Sequence, residues 1–407
     1  MTASFDPLSA ESIADPYPFL ASLRQEAPVS YCPAIDMWVV TRHADVDHVF
    51  SHPELFSAAN AQTPLLPLCD EAMAILKAGF RILPVMSNAD RPGHTRFRRP
   101  LARGFSARRM RVLTPVIEAR CGAILDDIAG AGGGDLMQAL CYPLPALTIF
   151  TMIGFPDTDA DRIKAWCADK LVVNWGRPTA GAQVRAARTM VAFWDYCEAF
   201  VADRRRAPAD DLTSDLLQDD DVDPPLTDQE IASIVFGLSF AGHETTTNLA
   251  ANCIRQVLLH GLWPKLRAGR DSIADVIEET LRYDSSVTAW RRIAKEDCVI
   301  GGAAVPAGAK LMLSLAAANR DPAVFAAPDS FDPSRANSGA HLSFGKGLHY
   351  CLGVPLARIE VAAVLNGMLD RFATVDLAEP DAPEFPPNIA FRGPLRLPVR
   401  WTLAEAG

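Results

Sequence analysis

Apolar positions along the chain fall into three regimes. Residues 16–27 carry the spacing of a short helix, and Val29–Tyr31 and Met37–Val40, joined by Pro33-Ala34-Ile35-Asp36, read as a strand pair. From about residue 90 to residue 290 the pattern turns helical, with long Ala-, Leu- and Arg-rich segments and few β-branched runs. Gly130-Ala-Gly-Gly-Gly134 and the acidic, Pro-containing stretch Asp219–Pro225 interrupt it and read as surface connections. Past residue 296 the period shortens. Cys298-Val299-Ile300, Gly301-Gly302, Val305-Pro306-Ala307-Gly308 and Lys310–Leu315 predict a small hairpin system. Residues 320–343, with Asp-Pro and Ala-Pro pairs and little periodicity, predict a coiled meander. A last helix is expected to begin near Leu352, and Pro386–Leu403 to form short strands. The sum is a mainly α chain with a minor β region, expected to form one domain over residues 1–407.

Composition narrows the partners. With 407 residues, 49% of them hydrophobic, the chain can bury a large core, while a net charge of -10 disfavours nucleic acid or an anionic membrane as partner. Met1-Thr-Ala-Ser-Phe-Asp-Pro7 has neither the basic start nor the apolar run of a leader, and no apolar run reaches the roughly eighteen residues of a membrane span. The nine cysteines are scattered without a CxxC pair, which fits a reducing compartment. A cytoplasmic location and no membrane attachment are expected.

The segment richest in chemistry is Phe344-Gly345-Lys346-Gly347-Leu348-His349-Tyr350-Cys351-Leu352-Gly353. Two glycines set two apart permit a tight turn and let the backbone approach a flat ligand. Cys351 falls just before the apolar run Leu352–Leu365, and the N–H groups at a helix start favour a thiolate over a thiol. A lone cysteine beside a Gly-rich turn is usually an inert core residue. Here the whole run resembles the haem-binding signature of the cytochrome P450 family, Phe-Gly-x-Gly-x-His-x-Cys-x-Gly, at every fixed position. The resemblance implies a single-domain cytochrome P450 fold, haem b as cofactor, Cys351 as axial ligand of the iron, and Phe344 and Gly345 against the haem. A thiolate ligand, as known for this family, pushes electron density onto the iron and favours O–O cleavage.

Other segments agree in the family's order. Glu279-Thr280-Leu281-Arg282 puts a carboxylate and a guanidinium on one helical face. It matches the family's Glu-x-x-Arg, which Arg335 in Phe331-Asp-Pro-Ser-Arg335 is implied to join in a structural role. Phe240-Ala241-Gly242-His243-Glu244-Thr245-Thr246-Thr247 lies within an apolar helix expected over about 228–258. A mid-helix glycine costs about 1 kcal/mol and threonines cost more, so local rules are broken here, as at functional sites. The family has Ala-Gly-x-Glu/Asp-Thr at this place. By that resemblance Ala241 borders the haem, Thr245 positions water at the oxygen-binding side, and Glu244 relays protons. His243 falls outside the match and reads as a packing or surface residue. His94 and Arg98, at i and i+4, match the family's His-x-x-x-Arg and, with His349 and Arg292, are the candidates for the haem propionates. Arg291 is the open alternative to Arg292.

The resemblance implies a haem-thiolate monooxygenase: RH + O2 + 2 e⁻ + 2 H⁺ → ROH + H2O, by hydroxylation or O-dealkylation of a small, mostly apolar substrate. Asn174-Trp-Gly-Arg-Pro178, Ala289-Trp-Arg-Arg-Ile-Ala294 and Phe391-Arg-Gly-Pro394 are similar to haem domains of self-sufficient bacterial members. No flavin or iron–sulfur motif follows the haem segment, so electrons from NAD(P)H are expected through a separate ferredoxin or flavodoxin and its reductase, with the protein a monomer. Lys346, Arg99, Arg103 and Arg109 are candidates for a basic docking patch. Family analogy puts pocket walls at 65–86 (Leu65, Leu66, Leu68, Phe80, Ile82, Leu83), at Leu238 and Ala241, at Val287–Trp290 and near Ile389. The competing readings are a peroxygenase using H2O2 and a non-catalytic haem-thiolate sensor or recruitment module. Glu244, Thr245 and Cys351, all present, weigh against both.

Overall fold

The computed structural model describes residues 5–380 and 383–405; Met1–Ser4 of the N-terminal stretch and Gly407 lie outside them. The helical majority is as expected. It includes Gly93–Gly104, Ala107–Ala129, Pro143–Ile153, Ala160–Trp175, Ala180–Arg206 and Ile273–Tyr283. The helix Tyr17–Glu26 is preceded by a short one, Ala10–Ala14, capped by the Ser9 hydroxyl, which the apolar spacing did not signal.

The helix expected over 228–258 is two, Asp228–Ala241 and Glu244–Leu259. The first is started by a capping box in which Thr227 Oγ1 accepts from the Glu230 N–H at 3.2 Å and the Glu230 carboxylate accepts from the Thr227 N–H at 2.8 Å. The break has a packing cause. A Cβ on Gly242 would lie 2.3 Å from Ile149 Cγ1 of the Pro143–Ile153 helix, so that close crossing admits only glycine. His243 fills the break as a fully buried packing residue, bonded through Nδ1 to the Ser239 carbonyl at 2.7 Å.

The main sheet is ordered Val29–Cys32, Met37–Val40, Lys310–Ser314, Ala289–Ala294, Phe56–Ser57; Met37–Val40 and Lys310–Ser314 run parallel and the other pairs antiparallel. Cys298–Ile300 and Ala303–Val305 form the expected hairpin. Two expectations at the second sheet need correction. Gly133–Asp135, inside the glycine run read as a connection, is an edge strand pairing with Pro398–Leu403. Within Pro386–Leu403 only Pro398–Leu403 is a strand; the part before it makes isolated bridges, Gly176 with Asn388 and Val287 with Phe391. The helix expected from Leu352 spans Val354–Arg371, which leaves Cys351 in the turn ahead of it. No helix among the described residues is long and apolar enough to cross a membrane.

Candidate functional site

The loop 344–353 is shaped by its two glycines, with φ of 68° at Gly345 and 66° at Gly347. A Cβ on Gly347 would stand 2.7 Å from the Phe50 carbonyl oxygen, so close contact as well as backbone angle demands glycine there. The turn closes through the Gly345 N–H on the Leu342 carbonyl at 2.8 Å and the Cys351 N–H on the Phe344 carbonyl at 3.0 Å. Cys351 has an exposed side chain although protein surrounds it, which puts it on the floor of a cleft. The surrounding protein pushes its thiol pKa up, against the pull of the Gly353 and Val354 N–H groups and of Arg98. Arg98 donates to the Tyr350 carbonyl at 2.5 Å.

The four basic candidates gather beside this loop. The His94 and His349 rings stand 4.4 Å apart, edge to face. Burial first, then Arg98 for His94 and Arg292 for His349, pushes their pKa values down to about 4 and about 3, so both rings are neutral at pH 7. His94 is 1% exposed, and neither of its ring nitrogens has a partner. The carboxylate nearest this group, Asp90, already accepts from Ser57 Oγ at 2.5 Å and from the Ala58 N–H at 3.0 Å. The site therefore holds donors and positive charge in excess of its acceptors.

Arg291 and Arg292 are separated by the alternation of the Ala289–Ala294 strand. Arg292 lies over the Phe50 ring and acts on His94 and His349. Arg291 turns the other way, stacking 3.9 Å over Trp175 and donating to the Ala61 and Thr63 carbonyls.

At the helix break, Ala241 is exposed in the middle of an otherwise buried segment. Thr245 Oγ1 donates to the Ala241 carbonyl at 3.1 Å. Burial pushes the Glu244 carboxyl up to about 7, with Asn248 opposing. His243 Nε2 lies 3.9 Å from Glu244, but burial holds that imidazole near pKa 4, so the pair is not ionic at neutral pH.

A cytochrome P450 family profile matches residues 273–394. Cytochrome P450 CYP107DY1 of Priestia megaterium is 34% identical over 349 residues, 84% of this chain and 84% of its own. This chain belongs to the cytochrome P450 family. The solved P450 CREJ in complex with (4-ethylphenyl) dihydrogen phosphate superposes with a TM-score of 0.94 at 36% identity, covering 98% of this chain and 99% of that one. An intact type IV self-sufficient P450 monooxygenase superposes at 0.92 with 33% identity, over 98% of this chain and 53% of the larger one. As a P450 the protein is a haem-thiolate monooxygenase, and its family's prosthetic group is haem b. The residues present fit that group: an accessible thiol on a cleft floor, and surplus donors for two carboxylates, among them the one N–H of the unpartnered, neutral His94 ring.

The proximal scaffold of the P450 is built as the motifs implied. Glu279 and Arg282 pair at 2.8 and 2.7 Å with neither side chain exposed, and Arg335 Nε joins at 3.3 Å. A second set was not anticipated. Arg358 lies over the Phe344 ring and pairs with Glu278 at 2.6 Å, while His341 approaches the same carboxylate at 3.4 Å. The basic patch is less free than expected. Lys346 pairs with Asp47 at 2.6 Å, Arg103 with Asp219 and Asp221 at 2.9 and 3.0 Å, and Arg109 with Asp210 at 3.3 Å.

Sequence reasoning also missed Glu360, a buried carboxylate on the Val354–Arg371 helix. Neither of its oxygens has a hydrogen-bond partner, and burial pushes it up to about 8. Thr148 and Thr246 lie beside it without closing a bond, and the Thr148 hydroxyl is spent on the Leu144 carbonyl. A glutamate inside an apolar run was the available signal.

Proposed function

We propose that this P450 inserts one oxygen atom of O2 into a small, mostly apolar organic substrate, by hydroxylation or O-dealkylation, with electrons supplied from NAD(P)H by a separate ferredoxin or flavodoxin and its reductase. The observation that carries the site assignment is the donor surplus of His94, His349, Arg98 and Arg292 beside the accessible Cys351. Cys351 would hold the haem iron through its sulfur, the four basic groups would hold the propionates, and Phe344, Gly345 and Ala241 would border the ring. Haem, when bound, supplies the oxygen-activating chemistry that no side chain can.

The protein's own part is protons and position. Glu244, half-titrated near neutral pH, accepts protons from solvent and passes them inward. Thr245 holds its hydroxyl on the Ala241 carbonyl and orders water beside the reacting oxygen. Apolar walls at Leu65, Leu66, Phe80 and Ile82 and at Val287–Trp290 exclude water and orient one C–H bond. A relative of the same framework holds an aromatic ligand, (4-ethylphenyl) dihydrogen phosphate, which supports an aromatic body of that size here.

The test combines two variants of holoprotein driven by ferredoxin and reductase. Cys351→Ser loses the thiolate-specific Soret position of the ferrous–CO complex. Thr245→Ala keeps that band and keeps oxidising NAD(P)H, but diverts O2 to peroxide. A normal band in the first variant, or unchanged coupling in the second, overturns the corresponding role.

A further inference from the structure

Buried cations in this protein come with nearby carboxylates, with two exceptions. Among the described residues Arg282 is met by Glu279, Arg320 by Asp329, Arg392 by Asp284 and Lys164 by Asp161; Arg24 feels Asp321, and Arg292 feels Asp90. Lys170 and Arg291 have none. Burying a charge without a counter-charge costs several kcal/mol in general, so a buried cation of this kind marks a place where an anion would be welcome.

Lys170, on the Ala160–Trp175 helix, is 4% exposed. Its Nζ donates to Gln62 Oε1 at 3.1 Å and lies 4.5 and 5.0 Å over the rings of Phe240 and Phe236. Rings and an amide oxygen satisfy an ammonium only in part. Burial lowers its pKa to about 8, which leaves it mainly charged at neutral pH. Arg291 grips the carbonyls of Ala61 and Thr63, either side of Gln62, and its Nε and Nη1 have no partner. Both cations thus brace the 61–63 segment, which leads into the pocket wall beginning at Leu65. The ring under Lys170, Phe240, immediately precedes Ala241 and packs on Phe391 at 5.7 Å. The ring under Arg291, Trp175, packs on Phe391 and on Trp290 of the wall.

We propose that Lys170 is a specificity-determining anion anchor beside the segment that leads into the proposed pocket wall, so that the preferred substrates join a small apolar body to a carboxylate or phosphate-monoester head group. This rests on the monooxygenase reading and deepens it by naming the head group. The anchor would hold the anion by a charge-assisted hydrogen bond from Nζ to an oxygen of the head group, displacing the Gln62 amide.

The experiment uses ferric holoprotein and follows the Soret spin-state shift with three probes sharing one body: 4-ethylphenyl phosphate, 4-ethylbenzoate and neutral 4-ethylphenol. At least one anion is expected to bind about tenfold or more tighter than the phenol, the gain of exchanging a neutral amide for a counter-charge on a buried ammonium. The anion that binds tighter identifies the head group. Lys170→Met should erase that preference while leaving the phenol Kd within about twofold, and Lys170→Arg should restore most of it. Wild-type protein that binds neither anion tighter than the phenol overturns the proposal without any variant. A Lys170→Met protein that keeps the preference overturns it as well. Failure of the monooxygenase reading is separately visible, as absence of the thiolate spectrum or of turnover with any substrate.

Discussion

Arg98 donates to the carbonyl of Tyr350 at 2.5 Å, one residue ahead of Cys351, and its charge acts on the sulfur while also facing His94. One guanidinium therefore ties down the loop that carries Cys351, partly opposes the burial that raises the sulfur's pKa, and stands among the groups proposed to meet the propionates. Arg98→Leu is expected to weaken haem retention about 10- to 100-fold, the value of losing a hydrogen bond to a charged group, with Arg98→Lys intermediate. Haem transfer to apomyoglobin measures it; equal transfer rates in wild type and Arg98→Leu would remove Arg98 from the site.

Glu244 has its pKa raised to about 7 by burial, so it carries a transferable proton below that pH and loses it above. Product formed per NAD(P)H consumed should fall as pH rises through about 7. Glu244→Gln cannot relay protons at any pH. It should lower product formation by about a hundredfold and leave the remaining rate without that limb.

Glu360 is expected to be a stability liability whose size depends on pH. Its carboxyl titrates near 4.5 when unfolded and near 8 in the fold, so the folded state binds the extra proton between those values. Its contribution to stability therefore falls as pH rises from about 4.5 to about 8, and is fully lost above. Glu360→Gln lacks this slope. Its advantage over wild type should grow through that window to a plateau of the order of 5 kcal/mol. Urea midpoints from about pH 5 to about pH 9 check it, and parallel pH profiles would refute it.

The Glu279–Arg282 pair should show the asymmetry of buried ions. Glu279→Ala leaves two guanidinium groups, Arg282 and Arg335, facing an empty position and should cost about 3–5 kcal/mol. Glu279→Leu combined with Arg282→Met should cost less than Glu279→Ala alone. Denaturation of the holoprotein gives both numbers, and simple additivity would contradict the argument.

The parts of the site legible in the sequence were those written in consecutive residues. Gly345 and Gly347 have the positive φ that the loop pattern required, and Gly242 marks a break whose breach of helix rules was visible beforehand. Strand alternation separates Arg291 from Arg292 once the strand's neighbours are known, and those neighbours, Trp175 and Phe50, come from distant segments. Glu360 and Lys170 were illegible for the same reason. Nothing within a few residues of either says that its surroundings lack a counter-charge. Local sequence also does not show that Asp47, Asp210, Asp219 and Asp221 approach Lys346, Arg103 and Arg109 from other elements. The meeting of Gly133–Asp135 with Pro398–Leu403 is likewise a long-range pairing that no local period encodes.

The interruption at Gly242 and His243 divides labour mechanically. Phe240 and Ala241 end one rod and Glu244 and Thr245 begin another, joined side chain to backbone by the Thr245 hydroxyl on the Ala241 carbonyl. Gly242 packs closely against Ile149 at the joint, so the second rod starts afresh from a fixed contact. The acid and the hydroxyl thus rest on a support moored separately from the helix that ends at Ala241.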